Sequence, residues 1–85
     1  MSYALAILPR ALKELARLPT GTHEAVRDAI WALGENPRPP GCTKLVGREA
    51  WRIRVGVYRV IYEIDDGPRA VIVLHVGHRR DVYRQ

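Results

Sequence analysis

The stretch WRIRVGVYRVIYEI, Trp51 to Ile64, alternates apolar and polar side chains almost without a break. A period of two is the signature of strands with one buried face. Gly56-Val57 fits a two-residue hairpin turn with glycine at its first central position. This feature constrains the fold most, because side chains alternate along a strand and one register then assigns every residue to a face. With this turn, Val55 pairs with Tyr58, Ile53 with Val60 and Trp51 with Tyr62, all six on the side that a second layer must cover. On the other side Arg54 faces Arg59 and Arg52 faces Ile61. Like charges opposed across a ladder are unfavourable, by about 0.2–1 kcal/mol per pair. Three arginines gathered there imply an anion held on that face.

The remaining segments supply the covering layer. Ser2 to Leu8 reads as a first strand, and Pro9 suits the first turn of a helix, where no amide hydrogen is needed. Leu8, Leu12, Leu15 and Leu18 recur at helical spacing. Thr20 or Thr22 suits the cap of a second helix with Val26, Ala29, Ile30 and Leu33 on its apolar face. ENPRPPG, Glu35 to Gly41, ends it, and so short a link makes the two helices an antiparallel hairpin. After the Trp51–Ile64 hairpin, DDGPR is a turn and Ala70 to Val76 a third strand, apolar enough to be central. The order β-α-α-β-β-β describes an α+β fold, a helical hairpin packed on one face of a small, largely antiparallel sheet. The arginines fall on the face away from the helices.

Eighty-five residues is the size of one domain, spanning 1–85. The net charge is +5, and it is unevenly placed: residues 1–42 hold five Lys/Arg against four Asp/Glu, residues 43–85 nine against five. The excess lies with the hairpin and implies a polyanionic or acidic partner. Twelve of the fourteen basic residues are arginine, which forks onto phosphate and carboxylate oxygens as lysine cannot. A single cysteine, Cys42, rules out a disulfide framework or thiolate metal site within one chain. No apolar run approaches the roughly 18 residues of a membrane span, and no signal peptide opens the chain. The expectation is a soluble, cytoplasmic protein.

KLVGREAWRIRVGVYRVIYEI (Lys44 to Ile64), followed by VIVLHVGHRRDVYR (Val71 to Arg84), resembles the RelE branch of the RelE/ParE superfamily of type II toxin–antitoxin toxins. The ALKEL helix and the ENPRPPGCTKLVG loop match as well, so the resemblance covers essentially the whole chain. It implies a RelE-like fold and an mRNA interferase that enters the ribosomal A site. There the ribose 2′-hydroxyl attacks its neighbouring phosphodiester, leaving a 2′,3′-cyclic phosphate and a 5′-hydroxyl, with no metal or cofactor. The implied partners are the ribosome with its mRNA and an acidic, partly disordered cognate antitoxin. Arg59 and Arg79 match the family's phosphate and transition-state arginines, and Tyr83 its C-terminal tyrosine, which stacks on a base or helps move a proton.

Arg52 and Arg54 occupy positions often held by lysine and, with Lys44, are expected to bind backbone phosphate. The departure has a chemical consequence: a lysine of lowered pKa serves as a general base, whereas arginine stays protonated. Glu49 and His78 remain for proton transfer, and His78 titrates in the useful range. His75, inside an apolar strand, reads as a core or sheet-face residue, and His23 as surface helix. The ParE branch offers an alternative, gyrase inhibition by binding, and a degenerate, non-catalytic toxin is another. Arg59, Arg79 and Tyr83 together favour the nuclease.

Overall fold

The computed structural model describes residues 2–78 and Arg80. Arg79 and Tyr83 lie outside the described residues. Strand β1 (Ala4–Ile7) is shorter at both ends than the Ser2–Leu8 expectation. Helix α1 (Pro9–Ala16) begins at its proline. Its buried stripe is Ala11 and Leu15 with Leu18 behind them, while Leu8 and Leu12 stay 42% and 50% exposed. Two adjacent helical stripes share Leu15, and periodicity alone does not choose between them. The entry strand does: the Leu8 amide donates to the Val73 carbonyl (3.0 Å), which fixes the rotation of the helix on the sheet.

Helix α2 (Thr20–Glu35) buries Val26, Ile30 and Leu33, with Ala29 half-buried, as the pattern predicts. Neither Thr20 nor Thr22 caps it. Pro19 occupies the cap position without a side-chain hydrogen bond, and its carbonyl already accepts from the His23 amide at 2.7 Å. Gly34 lets β1 approach this helix. The Tyr3 amide donates to the Gly34 carbonyl, and a Cβ on Gly34 would stand 3.3 Å from the Tyr3 carbonyl oxygen.

The sheet adds β2 (Thr43–Lys44), β3 (Trp51–Val55), β4 (Tyr58–Asp65) and β5 (Ala70–His78), in the order β1-β5-β4-β3-β2. Only the β1–β5 pair is parallel. The β3–β4 register matches the sequence expectation pair for pair, Val55 with Tyr58 through Trp51 with Tyr62. Gly56 has φ +59° and Val57 does not share a positive φ, the combination that places glycine first in the turn. Strand β2 was not anticipated, because two residues are too few to show an alternation.

Between β4 and β5 the register shifts: Ile61 pairs with His75, but Tyr62 pairs with Val73. Leu74 is the extra residue of a bulge. Val73 and Val76 both lie in the main core despite their odd spacing, which an unbroken strand would forbid. The two residues between them are thereby turned to the far face.

The main core lies between the helices and the sheet, around Tyr62, Ile30, Leu33, Val60 and Val73. A second, small core occupies the far face, where Ile61 (0% exposed) and Ala50 pack with Leu45 and Leu74. The loop between β2 and β3 folds over here, closed by the Leu45 amide donating to the Ala50 carbonyl (2.9 Å). The arginine face is therefore not a plain solvated surface.

Candidate functional site

Two cross-strand rows build the far face. Arg54, Arg59 and Gly77 form one, and Thr43, Arg52, Ile61 and His75 the next. Arg52 donates from Nη2 to the Thr43 hydroxyl at 3.0 Å, which holds its guanidinium at the sheet edge. Arg54 is exposed. Beside them, a cleft of about 510 Å³ opens between α2 and β3, lined by Ala32, Pro40, Thr43, Arg52 and Arg54 among others.

Arg59 is the unusual member. Only 7% of it is exposed. Its Nη1 donates to the Tyr58 carbonyl at 3.3 Å, and its Nε is buried with no hydrogen-bond partner among the described residues. No described carboxylate pairs with it among the ion pairs of the structure. Burying a cation without an anion is costly, and the usual remedy is a bound counter-charge. Gly77, directly opposite, carries no side chain.

Two other residues read from the sequence lie elsewhere. Lys44 pairs with Trp51, so it belongs to the opposite side of the sheet from Arg52, and its Nζ stands 3.4 Å from Glu49 Oε2. Both members of that ion pair are largely solvated. His78 pairs with Tyr58 on the helix side, the two rings edge to face at 6.0 Å and 76°. Its Nδ1 accepts from the Arg80 amide at 3.2 Å. The register thus gathers Arg52, Arg54 and Arg59 and leaves Lys44 and His78 on the other face.

His75, read from the sequence as a core or sheet-face residue, lies on the arginine side of the sheet. The Val76 amide donates to Glu14 Oε1 at 3.0 Å, and His75 Nδ1 stands 4.0 Å from the same oxygen. Arg10 Nε is 3.6 Å from Glu14 Oε2. The imidazole is 14% exposed, and its Nδ1 is buried with no hydrogen-bond partner among the described residues. Burial pushes its pKa below the ordinary histidine value, Arg10 and Arg48 push the same way, and Glu14 opposes them. Histidine in a strand was visible in the sequence, but its carboxylate partner lies on a helix more than sixty residues earlier, and no local pattern joins the two.

A family model described as the ParE toxin of the type II toxin–antitoxin system matches residues 5–83. The chain belongs to the RelE/ParE superfamily of type II toxins. It is 35% identical over 89 residues to Toxin RelG of Mycobacterium tuberculosis, covering 100% of both chains. It is 30% identical to the mRNA interferase toxin RelE of Escherichia coli, over 100% of this chain and 94% of that one. Among solved structures, the isolated E. coli RelE toxin superposes with a TM-score of 0.79 at 31% identity, covering 98% of this chain and 93% of that one. The toxin–antitoxin complex RelBE2 of M. tuberculosis gives 0.82 at 28%, covering 93% and 100%. The relatives carry RelE and RelG names, and the RelE architecture of helices on one face of a mostly antiparallel sheet is the one found here. Among the toxin's described residues no helix is long and apolar enough to cross a membrane.

Proposed function

We propose that this toxin is a ribosome-dependent mRNA endoribonuclease that cuts its substrate by attack of a ribose 2′-hydroxyl on the adjoining phosphodiester. The observation that carries the reading is Arg59, a buried guanidinium with no carboxylate partner among the described residues, at the centre of a three-arginine face. In-line attack concentrates negative charge on the non-bridging oxygens, and fixed, desolvated guanidinium groups stabilise charge as it develops. Because the nucleophile belongs to the RNA, the protein has only to orient the phosphate, supply positive charge and move protons. Arg59 and Arg79 take the phosphate, and Arg52 and Arg54 hold flanking backbone. Tyr83 stacks on a base or shares in proton transfer. A relative named as an mRNA interferase supports the reaction class.

We infer a cognate antitoxin as the toxin's stable partner, since similar toxins have been solved with RelB. Its expected chemistry is acidic, matching the basic half of the chain.

The test is primer extension on a translated mRNA with purified protein. Ribosome-dependent breaks within A-site codons are expected, reduced about 10²–10³-fold by Arg59→Ala, the scale of losing one transition-state donor. Intact mRNA together with inhibited gyrase supercoiling would instead select the ParE-type activity.

A further inference from the structure

Arginine at positions 52 and 54 leaves the proposed reaction without a lysine base on this face. The attacking 2′-hydroxyl must still lose a proton. A general base needs a lone pair within reach of the reacting atoms and a neighbour that orients it. On the arginine side of the sheet the candidate is His75, with Glu14 Oε1 4.0 Å from its Nδ1.

Its place follows from the bulge. Because Leu74 is the extra residue, His75 is brought opposite Ile61, in the row that also contains Arg52. Arg59 lies two residues along β4 from Ile61, a diagonal neighbour at about 7–8 Å by strand geometry. Gly77, opposite Arg59 and two residues on from His75, adjoins both. Strand β1 pairs with β5 only as far as Val73, so beyond that point the outer edge of β5 is met by α1 and not by another strand. A ribose lying across this diagonal would have its 3′-phosphate toward Arg59 and its 2′-hydroxyl toward His75. Ile61, Ala50, Leu45 and Leu74 give the site an apolar floor, which strengthens the charge interactions above it.

The orienting group is Glu14. Its Oε1 is fixed by the Val76 amide that the bulge leaves facing α1, and its Oε2 by Arg10. Nδ1 of His75 faces Oε1 at 4.0 Å, a loose contact of the kind that tightens when substrate arrives. A proton on Nδ1 directed at the carboxylate leaves the lone pair on Nε2, the nitrogen not shut away against α1. We propose that His75, oriented by Glu14, is the general base that accepts the 2′-hydroxyl proton on the arginine face. The proposal rests on the RNA-cleavage reading and names a residue within it.

The step balances. The O2′–P bond forms as the proton passes from O2′ to His75 Nε2, and the P–O5′ bond breaks with its electron pair on O5′. Water protonates O5′, and the imidazolium returns its proton to solvent. The groups facing the ring are Arg10 and Glu14 from α1, Arg48 from the loop over the far face and Arg59 diagonally across β4. Burial first, then Arg10 and Arg48, disfavours the charged form of the resting ring, while Glu14 compensates the imidazolium as it forms.

Single-turnover cleavage of a ribosome-bound codon, followed across pH with purified full-length protein, tests this. The wild-type rate is expected to rise through an ionisation below the ordinary histidine value and then level. His75→Gln is expected to cut at least about 10²-fold more slowly and to lose the rising limb. Glu14→Gln still accepts the Val76 amide but removes the charge, so its limb should move to lower pH. A variant that is merely destabilised keeps the wild-type limb at reduced amplitude, and exogenous imidazole should restore cleavage to His75→Ala only if the ring does chemistry. An unchanged limb in His75→Gln beside an active wild type overturns the proposal and leaves the nuclease reading standing. A wild type that never cuts overturns both.

Discussion

Two polar side chains on β4 are buried on opposite faces of the sheet, and they do different work. The Tyr62 hydroxyl donates to the Pro37 carbonyl at 2.7 Å, and burial raises its pKa further above the ordinary tyrosine value. It is a satisfied group that ties the proline-rich loop to the sheet. Tyr62→Phe leaves that buried carbonyl unmet and should cost about 1–3 kcal/mol in urea unfolding, with growth arrest unchanged. Arg59 is the reverse, a buried charge whose Nε lacks a hydrogen-bond partner among the described residues. Replacing a buried charge by an apolar side chain of similar volume is often neutral or stabilising. Arg59→Met should therefore unfold at equal or higher urea than the wild type while losing growth arrest. A large loss of stability in that variant would make Arg59 a structural residue and remove the main support of the nuclease reading.

At the scale of elements, one exposed cluster joins three parts of the chain. Asp66 in the turn after β4 accepts from the Tyr3 hydroxyl beside β1 (2.7 Å) and from both terminal nitrogens of Arg38 in the loop after α2 (2.9 and 3.3 Å). The Arg38 guanidinium also stands 5.0 Å from the Trp51 ring centroid. Arg38 first, then Tyr3, holds the Asp66 carboxyl down at about 2. A depressed carboxylate lends stability above its unfolded value near 3.8, and that contribution fades as pH falls from there through about 2. Thermal melts between about pH 5 and pH 2 should thus show a smaller acid-induced loss in Asp66→Asn than in the wild type. The difference should be modest because the group is solvated, and identical slopes would dismiss the cluster as a surface coincidence. The partners of Asp66 are not legible in the sequence, whereas the hairpin is: its period and Gly56 fix every pair from Trp51 to Tyr62. The bulge at Leu74 was hidden because an extra residue inside an apolar run leaves no polar mark. It put His75 on the arginine side and His78 beside Tyr58, reversing the weight that sequence position alone gives the two histidines.

For the molecule as a whole, charge and shape point the same way. The net charge of +5 is carried mostly by residues 43–85, and that segment supplies β2 to β5. The helices cover one face of the sheet, so the arginines of β3 and β4 are presented together on the other, around the buried Arg59. A surface of this kind repels itself until an anion arrives, whether RNA phosphate or the carboxylates of an antitoxin. A second region is apolar: Trp31 on α2 is 68% exposed, beside a cleft of about 420 Å³ that Leu5, Ile7 and Ile30 help to line. An antitoxin that wraps both regions would be held by two forces of opposite salt response. Raising salt from about 0.1 to about 1 M shortens the screening length from ~10 to ~3 Å, which weakens exposed charge pairs and spares apolar contact. Calorimetric titration of toxin with its antitoxin should therefore lose affinity over that range without losing binding. Arg52→Gln with Arg54→Gln should flatten the dependence, because those guanidinium groups would no longer attract the acidic segment. An affinity that does not move with salt in the wild type would mean that the antitoxin leaves the arginine face uncovered and blocks the toxin by another route.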